Sequence, residues 1–522
     1  MLSRSTAYDP LSIDRRLSSV SFYTYLLLLS LCGGLVASLY LKGGHLWLDE
    51  IFSLFLIQDP SLGHMNEAVF AGVETSPPLF YFLYWALGHY VSPDPLFLKA
   101  VSIGFFLASI VILFVYTNQL IRNSALNFLL FITVLCFTDL DFLSSCQIRP
   151  YSVNLLLSCV HFIIIHQLIS QPAKPALLLV QMLTGLCLVF IQNIGLLTIS
   201  IPACLFIGLF WWSGRKEYLF PILSMLMVFA GWALIWYDGF LIQASLERLN
   251  TADSRQSFAS SFQVLGALIP TVTRLEGNSP WIAGLRVFLM TGILFYILIK
   301  QFNFQKLTKD PVFGFYFLSG FIFILTILLV VLANALSIAV LSADSLWPVH
   351  LLVIFQIVYA VHFFRRHFRI DTRYTFYVVI YTLLLSFYLF NKNINYGLQA
   401  KSSLTAVTKG LGSYPVLCES MDTFLPIAQH NLGDVRLLLN QRSPVVGKKA
   451  LHKRLQLFYR KYPAKVVVLP EEITSRTYGH FYVLDEASAQ QFESLTAKGK
   501  FRITRVQPTE FKDVRLLECV YN

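Results

Sequence analysis

Residues 175–214 read PALLLVQMLTGLCLVFIQNIGLLTISIPACLFIGLFWWSG and contain no acidic or basic side chain. As an α-helix, a stretch of this length would extend about 60 Å, twice the roughly 30 Å hydrocarbon core of a bilayer. The polar pair Gln192-Asn193, with Gly195 just beyond it, interrupts the apolar run near its middle. The stretch therefore predicts two membrane crossings joined by a tight turn.

The composition of the whole chain agrees with this pattern. Of 522 residues, 56% are hydrophobic and 13% are charged, about half the charged share of a soluble protein. The mean hydropathy is +0.62. These values exclude a soluble enzyme and a disordered scaffold. The net charge of +11 is spread over loops and a C-terminal segment, so we expect no nucleic-acid partner.

The remaining apolar runs extend the pattern to about eleven crossings, each near the length that a spanning helix needs. The run Leu79–Val91 is short and rich in aromatic residues, which favours a helix lying at the membrane interface. The predicted spans are 20–41, 100–121, 124–140, 151–169, 175–191, 194–212, 218–237, 282–300, 312–335, 345–364 and 374–391.

The basic residues of the short loops set the predicted orientation. Counted from a cytoplasmic segment 1–19, nearly all of these loops fall on one side, as the positive-inside rule requires. The opposite, extracytoplasmic side then receives a first outer loop, 42–78, and a second long loop, 239–280. The basic loop residues are Arg122, Lys174, Arg215, Lys216, Lys300, Lys306, Lys309, Arg365, Arg366, Arg369 and Arg373.

The composition changes after the last span. From about residue 401, short apolar runs alternate with amphipathic, helix-like stretches, which is typical of a small α/β domain. The predicted fold is thus an all-α polytopic membrane domain, 20–392, followed by an extracytoplasmic α/β domain, 401–522. A disulfide between Cys418 and Cys519 stays open at this stage.

Two outer segments contain closely spaced acids. Asp49 and Glu50 follow soon after the first predicted span, and Glu74 precedes the diproline that begins the interfacial helix. A carboxylate partly buried at a membrane surface becomes more basic, which suits a general base. Hydrated loop acids or a helix N-cap would explain the same spacing.

A third outer segment combines acids with an arginine. Only 16 uncharged residues separate Arg122 from Asp139, so Asp139 and Asp141 are drawn toward the outer boundary. Arg149 precedes the proline of the next span, where its guanidinium could bind a phosphate in a fork. Simple snorkelling to the interface is the alternative. Arg286, one turn inside its span, could likewise attract a lipid phosphate or be a solvated charge.

The ordered set of motifs resembles the GT-C superfamily of polytopic glycosyltransferases. The motifs are Trp47-x-Asp49-Glu50, Glu74-x-x-Pro77-Pro78-Leu79-Phe80-Tyr81, Lys99-x-x-Ser102 and Arg149-Pro150-Tyr151-Ser152. The resemblance covers about residues 20 to 390 and is strongest before residue 200. Its nearest branch is the bacterial protein O-mannosyltransferase and aminoarabinose-transferase group, which includes the RgtA/B/C/D-like domain.

This resemblance implies a multi-pass enzyme of the bacterial inner membrane. Such enzymes move a sugar from a polyprenyl-phosphate carrier to a glycan, lipid or protein acceptor on the extracytoplasmic face, here with inversion expected. Asp49 would be the catalytic carboxylate, with Glu50 beside it. Donor phosphate binding would involve Arg149, Tyr151, Lys99 and Arg286, and Glu74, Asp139 and Asp141 would organise the acceptor or a divalent cation, Mg²⁺ or Mn²⁺.

Two other functions stay open. A transporter or flippase for a lipid-linked glycan would need a membrane domain of this size, but transporters usually place ionisable residues near the bilayer midplane. Here the predicted span centres are almost free of charge and the acids gather at one surface, which favours chemistry at that surface. A nonenzymatic subunit of polysaccharide assembly would use the C-terminal domain as a docking module.

Overall fold

The computed structural model describes most of the membrane domain and parts of the C-terminal domain. The predicted span 20–41 and nearly all of span 374–391 lie outside the described residues, as do Asp139 and Asp141. The described residues are 48–136, 147–253, 258–269, 280–335, 346–368, 377, 380–381, 384, 414–419, 424, 435–438, 449–462, 467–468, 472–476, 478–486, 501–508 and 514–522.

Helices dominate the described part of the membrane domain. They are α1 (Leu48–Ile57), α2 (Leu62–Phe70), α3 (Leu79–Tyr90), α4 (Pro95–Leu120), α5 (Ser124–Cys136), α6 (Tyr151–Ser170), α7 (Pro175–Ile191), α8 (Gly195–Ser213), α9 (Leu219–Asp253), α10 (Phe258–Ala267), α11 (Pro280–Gln301), α12 (Phe304–Lys309), α13 (Pro311–Ala335) and α14 (Trp347–His367).

Local sequence explains where several of these helices begin and end. Asp94 caps α4, because its carboxylate accepts the Leu96 N–H at 3.2 Å and Pro95 occupies the first turn. Prolines also begin α7, α11 and α13. Gly214 ends α8 with a φ of 66°, a left-handed conformation that glycine adopts without steric cost.

Apart from α9, the long apolar helices agree with the predicted spans to within a few residues. Among the described residues, seven helices are long and apolar enough to cross a membrane, and α7 is a shorter apolar helix. The structure thus confirms a polytopic, mostly helical domain, and a total of eleven crossings stays a prediction. Helix α3 has 12 residues, about 18 Å, too short for a crossing, which agrees with an interfacial helix.

The basic turns lie together at one end of the helix bundle. They are joined there by side-chain hydrogen bonds between neighbouring helix ends. These connect Tyr218 to Ile169 (3.0 Å), Ser170 to Thr308 (3.2 Å), Tyr359 to Gln301 (2.7 Å) and His362 to Asn127 (2.9 Å). The compartment that this end faces stays a prediction.

Helix α9 is longer than the span predicted at 218–237. It continues to Asp253, about 52 Å in all, because the polar residues after Tyr237 remain helical. A helix of this length exceeds the hydrocarbon core of a bilayer. Its C-terminal part reaches the first outer loop at the end opposite the basic turns, where Ile242 and Leu246 pack against Gly72.

The C-terminal domain is the predicted α/β unit. Its helix α15 (Lys449–Lys461) accompanies a six-stranded sheet of order β3-β2-β1-β4-β6-β5, in which β1 to β4 pair in parallel and β6 is antiparallel to β4 and β5. Cys418 and Cys519 are both buried, and no disulfide joins them. The strands are β1 (Val416–Cys418), β2 (Val435–Leu438), β3 (Val467–Val468), β4 (His480–Glu486), β5 (Phe501–Pro508) and β6 (Val514–Tyr521).

Candidate active site

The first turn of α1 presents two acids to different surroundings. Glu50 is fully buried and points into the membrane domain. Its Oε1 accepts the Ile148 N–H at 2.9 Å and lies 3.5 Å from the Lys99 ammonium of α4. The first turn also favours both carboxylates through the partial positive charge of the helix N-terminus. Glu50 therefore ties α1 to the ends of two membrane helices.

Asp49 is the acid that remains open to solvent. Its side chain is 46% exposed, whereas those of Glu50 and Glu74 have no exposed surface. One Asp49 oxygen lies 3.3 Å from the Arg454 guanidinium, and the other lies 4.0 Å from that of Arg149. A reacting molecule can reach Asp49 without displacing the buried acids.

Glu74 lies between the two arginines. Its Oε2 lies 2.8 Å from Arg149 Nη1 and 3.1 Å from Arg454 Nη2. The same oxygen accepts the Thr75 N–H at 3.2 Å, and Ser53 donates to the other oxygen at 3.5 Å. A buried carboxylate is costly unless charged donors surround it, as they do here.

The chain around Glu74 is supported from helix α9 and from the turn between α7 and α8. Gln243 donates to the backbone carbonyls of Glu74 at 2.8 Å and Ser76 at 3.3 Å. Asn193 donates to the Thr75 carbonyl at 3.2 Å and to the Gln243 amide oxygen at 2.8 Å. The polar turn predicted at Gln192-Asn193 thus lies beside the acidic site.

Asp49, Glu50, Glu74, Lys99, Arg149 and Arg454 form what we call the charge cluster. Its three carboxylates and three cations cancel in formal charge, and ion pairs connect them within two groups: Glu50 with Lys99, and the other four together. The structure therefore brings together five residues predicted from the sequence. Arg149 also lies 5.9 Å from the centre of the Tyr151 ring, within cation–π distance.

The sequence predicted that burial would raise the pKa of an outer acid, and for Asp49 this prediction is wrong. Burial alone would raise the pKa of Asp49, but the charges of Arg149 and Arg454 and the Arg454 hydrogen bond together outweigh it and lower the pKa. The Arg149 guanidinium is held in its charged form, since Glu74 and Asp49 raise its pKa despite desolvation. Asp49 is consequently ionised at neutral pH and able to accept a hydrogen bond from a hydroxyl or amine.

The described acids do not offer a donor set for the divalent cation that the sequence left open. Mg²⁺ and Mn²⁺ bind carboxylates with free oxygens, whereas Asp49, Glu50 and Glu74 each face an arginine or lysine. Among the described residues, no three His, Cys, Asp or Glu side chains are grouped to hold a metal ion. Asp139 and Asp141 lie outside the described residues, so their roles stay predictions.

Arg286 was predicted from the sequence, whereas two other residues near the site were not. Arg286 donates to the Ile269 carbonyl at 3.4 Å, near the end of α10, and its role in phosphate binding stays a prediction. Sequence reasoning missed Arg454 and Gln243. The only signal for Arg454 is its position on the amphipathic helix α15, and that pattern does not say which surface the helix contacts.

Comparisons with known proteins give distant structural matches. No protein-family model matches the chain, and no curated protein matches it. Among solved structures, two crystal structures of ArnT from Cupriavidus metallidurans resemble it, one bound to undecaprenyl phosphate (TM-score 0.39) and one in the apo state (TM-score 0.41). Each is 10% identical, and the match covers 94% of this chain and 97% of ArnT. Values this low do not establish a family or an activity.

Proposed function

We propose that this protein is a membrane glycosyltransferase that moves a sugar from a polyprenyl-phosphate donor to a glycan, lipid or protein acceptor. The observation that carries the proposal is the half-exposed carboxylate of Asp49 beside Arg149, at the end of the bundle away from the basic turns. A carboxylate that can act as a base, next to an arginine that can bind a phosphate, meets the needs of transfer from a lipid phosphate. The resemblance of the sequence motifs to GT-C enzymes supports the same class.

The proposed reaction is a single displacement at the anomeric carbon. Asp49 accepts the proton of the acceptor hydroxyl or amine while the acceptor atom forms the new bond to that carbon. The bond from the anomeric carbon to the phosphate oxygen breaks, and its electron pair leaves with the polyprenyl phosphate. Attack opposite to the leaving group inverts the configuration. The proton ends on Asp49 and is released to solvent through its exposed surface.

Arg149 is the proposed partner of the departing phosphate. Negative charge grows on that phosphate as the bond breaks, and a preorganised cation stabilises such charge most strongly in the transition state. The Nη2 atom of Arg149 stands 4.0 Å from Asp49, beyond hydrogen-bond distance, so it can donate to a phosphate oxygen while Nη1 stays on Glu74. Lys99 has a different proposed role, since its ammonium neutralises the buried Glu50.

The decisive variant is Asp49→Asn, which removes the base and keeps the shape of the side chain. With purified protein in proteoliposomes and radiolabelled undecaprenyl-phosphate hexoses or pentoses as probes, we expect release of undecaprenyl phosphate and sugar transfer to an envelope extract. The variant should lower this rate by about 10²- to 10⁴-fold, the usual contribution of a general base.

Asp238→Asn is the matched control, because Asp238 is an exposed acid on α9 and should leave the rate unchanged. Wild-type transfer by the Asp49 variant would show that another group is the base. Lipid scrambling across the bilayer with no new glycosidic bond would instead identify a flippase.

A further inference from the structure

The C-terminal domain contacts the first outer loop through one face of α15. Phe458 packs against Phe52 and Phe55, with ring centres 4.7 Å and 5.5 Å apart. Beyond the aromatic contact, the Tyr462 hydroxyl donates to Asp59 at 2.7 Å. These contacts hold α15 in a defined position over the start of the membrane domain.

Arg454 extends from this helix into the charge cluster. It lies one helical turn before Phe458, so the aromatic contact fixes its position and direction. All three guanidinium nitrogens are engaged: Nε with the Val73 carbonyl (3.3 Å), Nη1 with Asp49 (3.3 Å) and Nη2 with Glu74 (3.1 Å). Its side chain is 11% exposed. Three directed contacts from one planar group restrict the geometry strongly.

The charge balance of the cluster depends on this arginine. With Arg454 the formal charges cancel, and without it the three acids exceed the two remaining cations of the membrane domain. A site with excess negative charge repels an anionic phosphate donor. Asp49 nevertheless keeps nearly half of its surface exposed while Arg454 is bound. The arginine therefore neutralises the site without covering the acid.

We propose that Arg454 is a positioning residue that the C-terminal domain supplies to the active site, so that docking of α15 completes the site for an anionic donor. This inference rests on the proposed function, because it assigns Arg454 to the orientation of Asp49. A guanidinium that joins Asp49 to Glu74 holds the Asp49 carboxylate in one orientation and keeps it ionised. The soluble domain is accordingly a part of the catalytic unit.

The charged groups facing Asp49 come from several elements. Arg149 approaches from the segment before α6, Arg454 from α15 and Glu74 from the segment before α3. Glu50 is its neighbour on α1 and is paired with Lys99. Since Arg454 helps to lower the pKa of Asp49, its removal should raise that pKa. The acid limb of a pH–rate profile would then move to higher pH, because the base loses its charge earlier as the pH falls.

The test compares Arg454→Gln with Arg454→Lys and with the control Lys461→Gln. Lys461 lies on the same helix and pairs with Glu67 at 3.3 Å, outside the charge cluster. We expect Arg454→Gln to lower kcat/KM by about tenfold or more, the scale of one preorganised charge, and to move the acid limb upward. Arg454→Lys should keep the limb in place with a reduced rate, since one ammonium cannot bridge three acceptors. Lys461→Gln should resemble wild type.

A second measurement needs no transferase activity. Carbodiimide modifies protonated carboxyl groups, so labelling of Asp49 against pH, followed by mass spectrometry of its peptide, reports its protonation. Labelling should begin at higher pH in Arg454→Gln than in wild type. A shifted labelling curve in a protein that transfers no sugar would keep the positioning role and reject the proposed function.

Suppose that Arg454→Gln transfers sugar and that its labelling curve and acid limb are the same as in wild type. This result would overturn the positioning role and leave the proposed function standing. If Arg454→Gln does not elute as a folded protein, Arg454→Lys decides. Full wild-type kcat/KM in that variant would show that the bridging geometry of the guanidinium has no part in the reaction.

Discussion

Asp49 and Glu50 are adjacent in the sequence but differ in their environments. Glu50 is enclosed with Lys99 and the Ile148 N–H, whereas Asp49 faces two arginines and solvent. Side chains at successive helix positions point about 100° apart, so neighbouring acids can enter different surroundings. The residue pair therefore divides into one acid that joins helices and one acid available for chemistry.

The Lys99–Glu50 pair gives a prediction about stability. Lys99→Met leaves Glu50 buried without this cation and should destabilise the protein by about 3 kcal/mol, because a buried charge loses its partner. The double variant Lys99→Met with Glu50→Gln should be more stable than Lys99→Met alone, since the glutamine oxygen can still accept the Ile148 N–H. Denaturant titration in mixed micelles measures both effects.

An exposed ion pair provides the comparison for that experiment. Glu217→Gln removes the negative charge that pairs with Arg215 at the basic end of the bundle, where both side chains are about half exposed, and should change stability little. A double variant no more stable than Lys99→Met would show that the pair does not act as a unit.

At the scale of elements, the length of helix α9 determines whether Gln243 can support the chain around Glu74. The helix continues beyond the apolar run until Gln243 reaches the chain at Glu74 and Ser76. Composition marks where a helix leaves the hydrocarbon core, and it does not mark where the helix ends. The α7–α8 turn was found from its polar pair, but its contact with Thr75 depends on how the helices pack.

Gln243→Leu tests this support. The substitution removes the donors to two buried carbonyls, at a cost of about 1–3 kcal/mol, and should let the Glu74 segment shift. We expect a lower kcat in the transferase assay, because small displacements of positioned groups slow catalysis.

Ser245→Ala is the control on the same helix, since Ser245 is exposed and its hydroxyl bonds only within α9 to Ile242 among the described residues. Equal kcat values for Gln243→Leu and wild type would contradict a supporting role for Gln243.

In the whole molecule, the first outer loop and the C-terminal domain must lie on the same side of the membrane. The contacts of α15 with Phe52, Asp59 and Glu74 cannot form across a bilayer. Alkaline phosphatase, which is active only outside the cytoplasm, should therefore be active when fused after Ser92 or Asn522. Fusion after Gly214, at the basic end, should be inactive.

A green fluorescent protein fused at the same three positions should give the reciprocal pattern. Opposite signals for Ser92 and Asn522 would be incompatible with the docking of α15 and would separate Arg454 from Asp49. The same signal at all three positions would contradict the predicted orientation of the helix bundle.

The sequence by itself determined the membrane class, most span boundaries, the α/β character of the C-terminal domain and the candidates Asp49, Glu50, Glu74, Lys99 and Arg149. Apolar run length and the residue types near helix ends carry this information, because both are local. Only the tertiary structure decided which acid is exposed, what lowers the pKa of Asp49 and which cation comes from the far end of the chain. The separation between Arg454 and Asp49 is 405 residues, and contacts at that distance depend on packing between domains that no local pattern encodes.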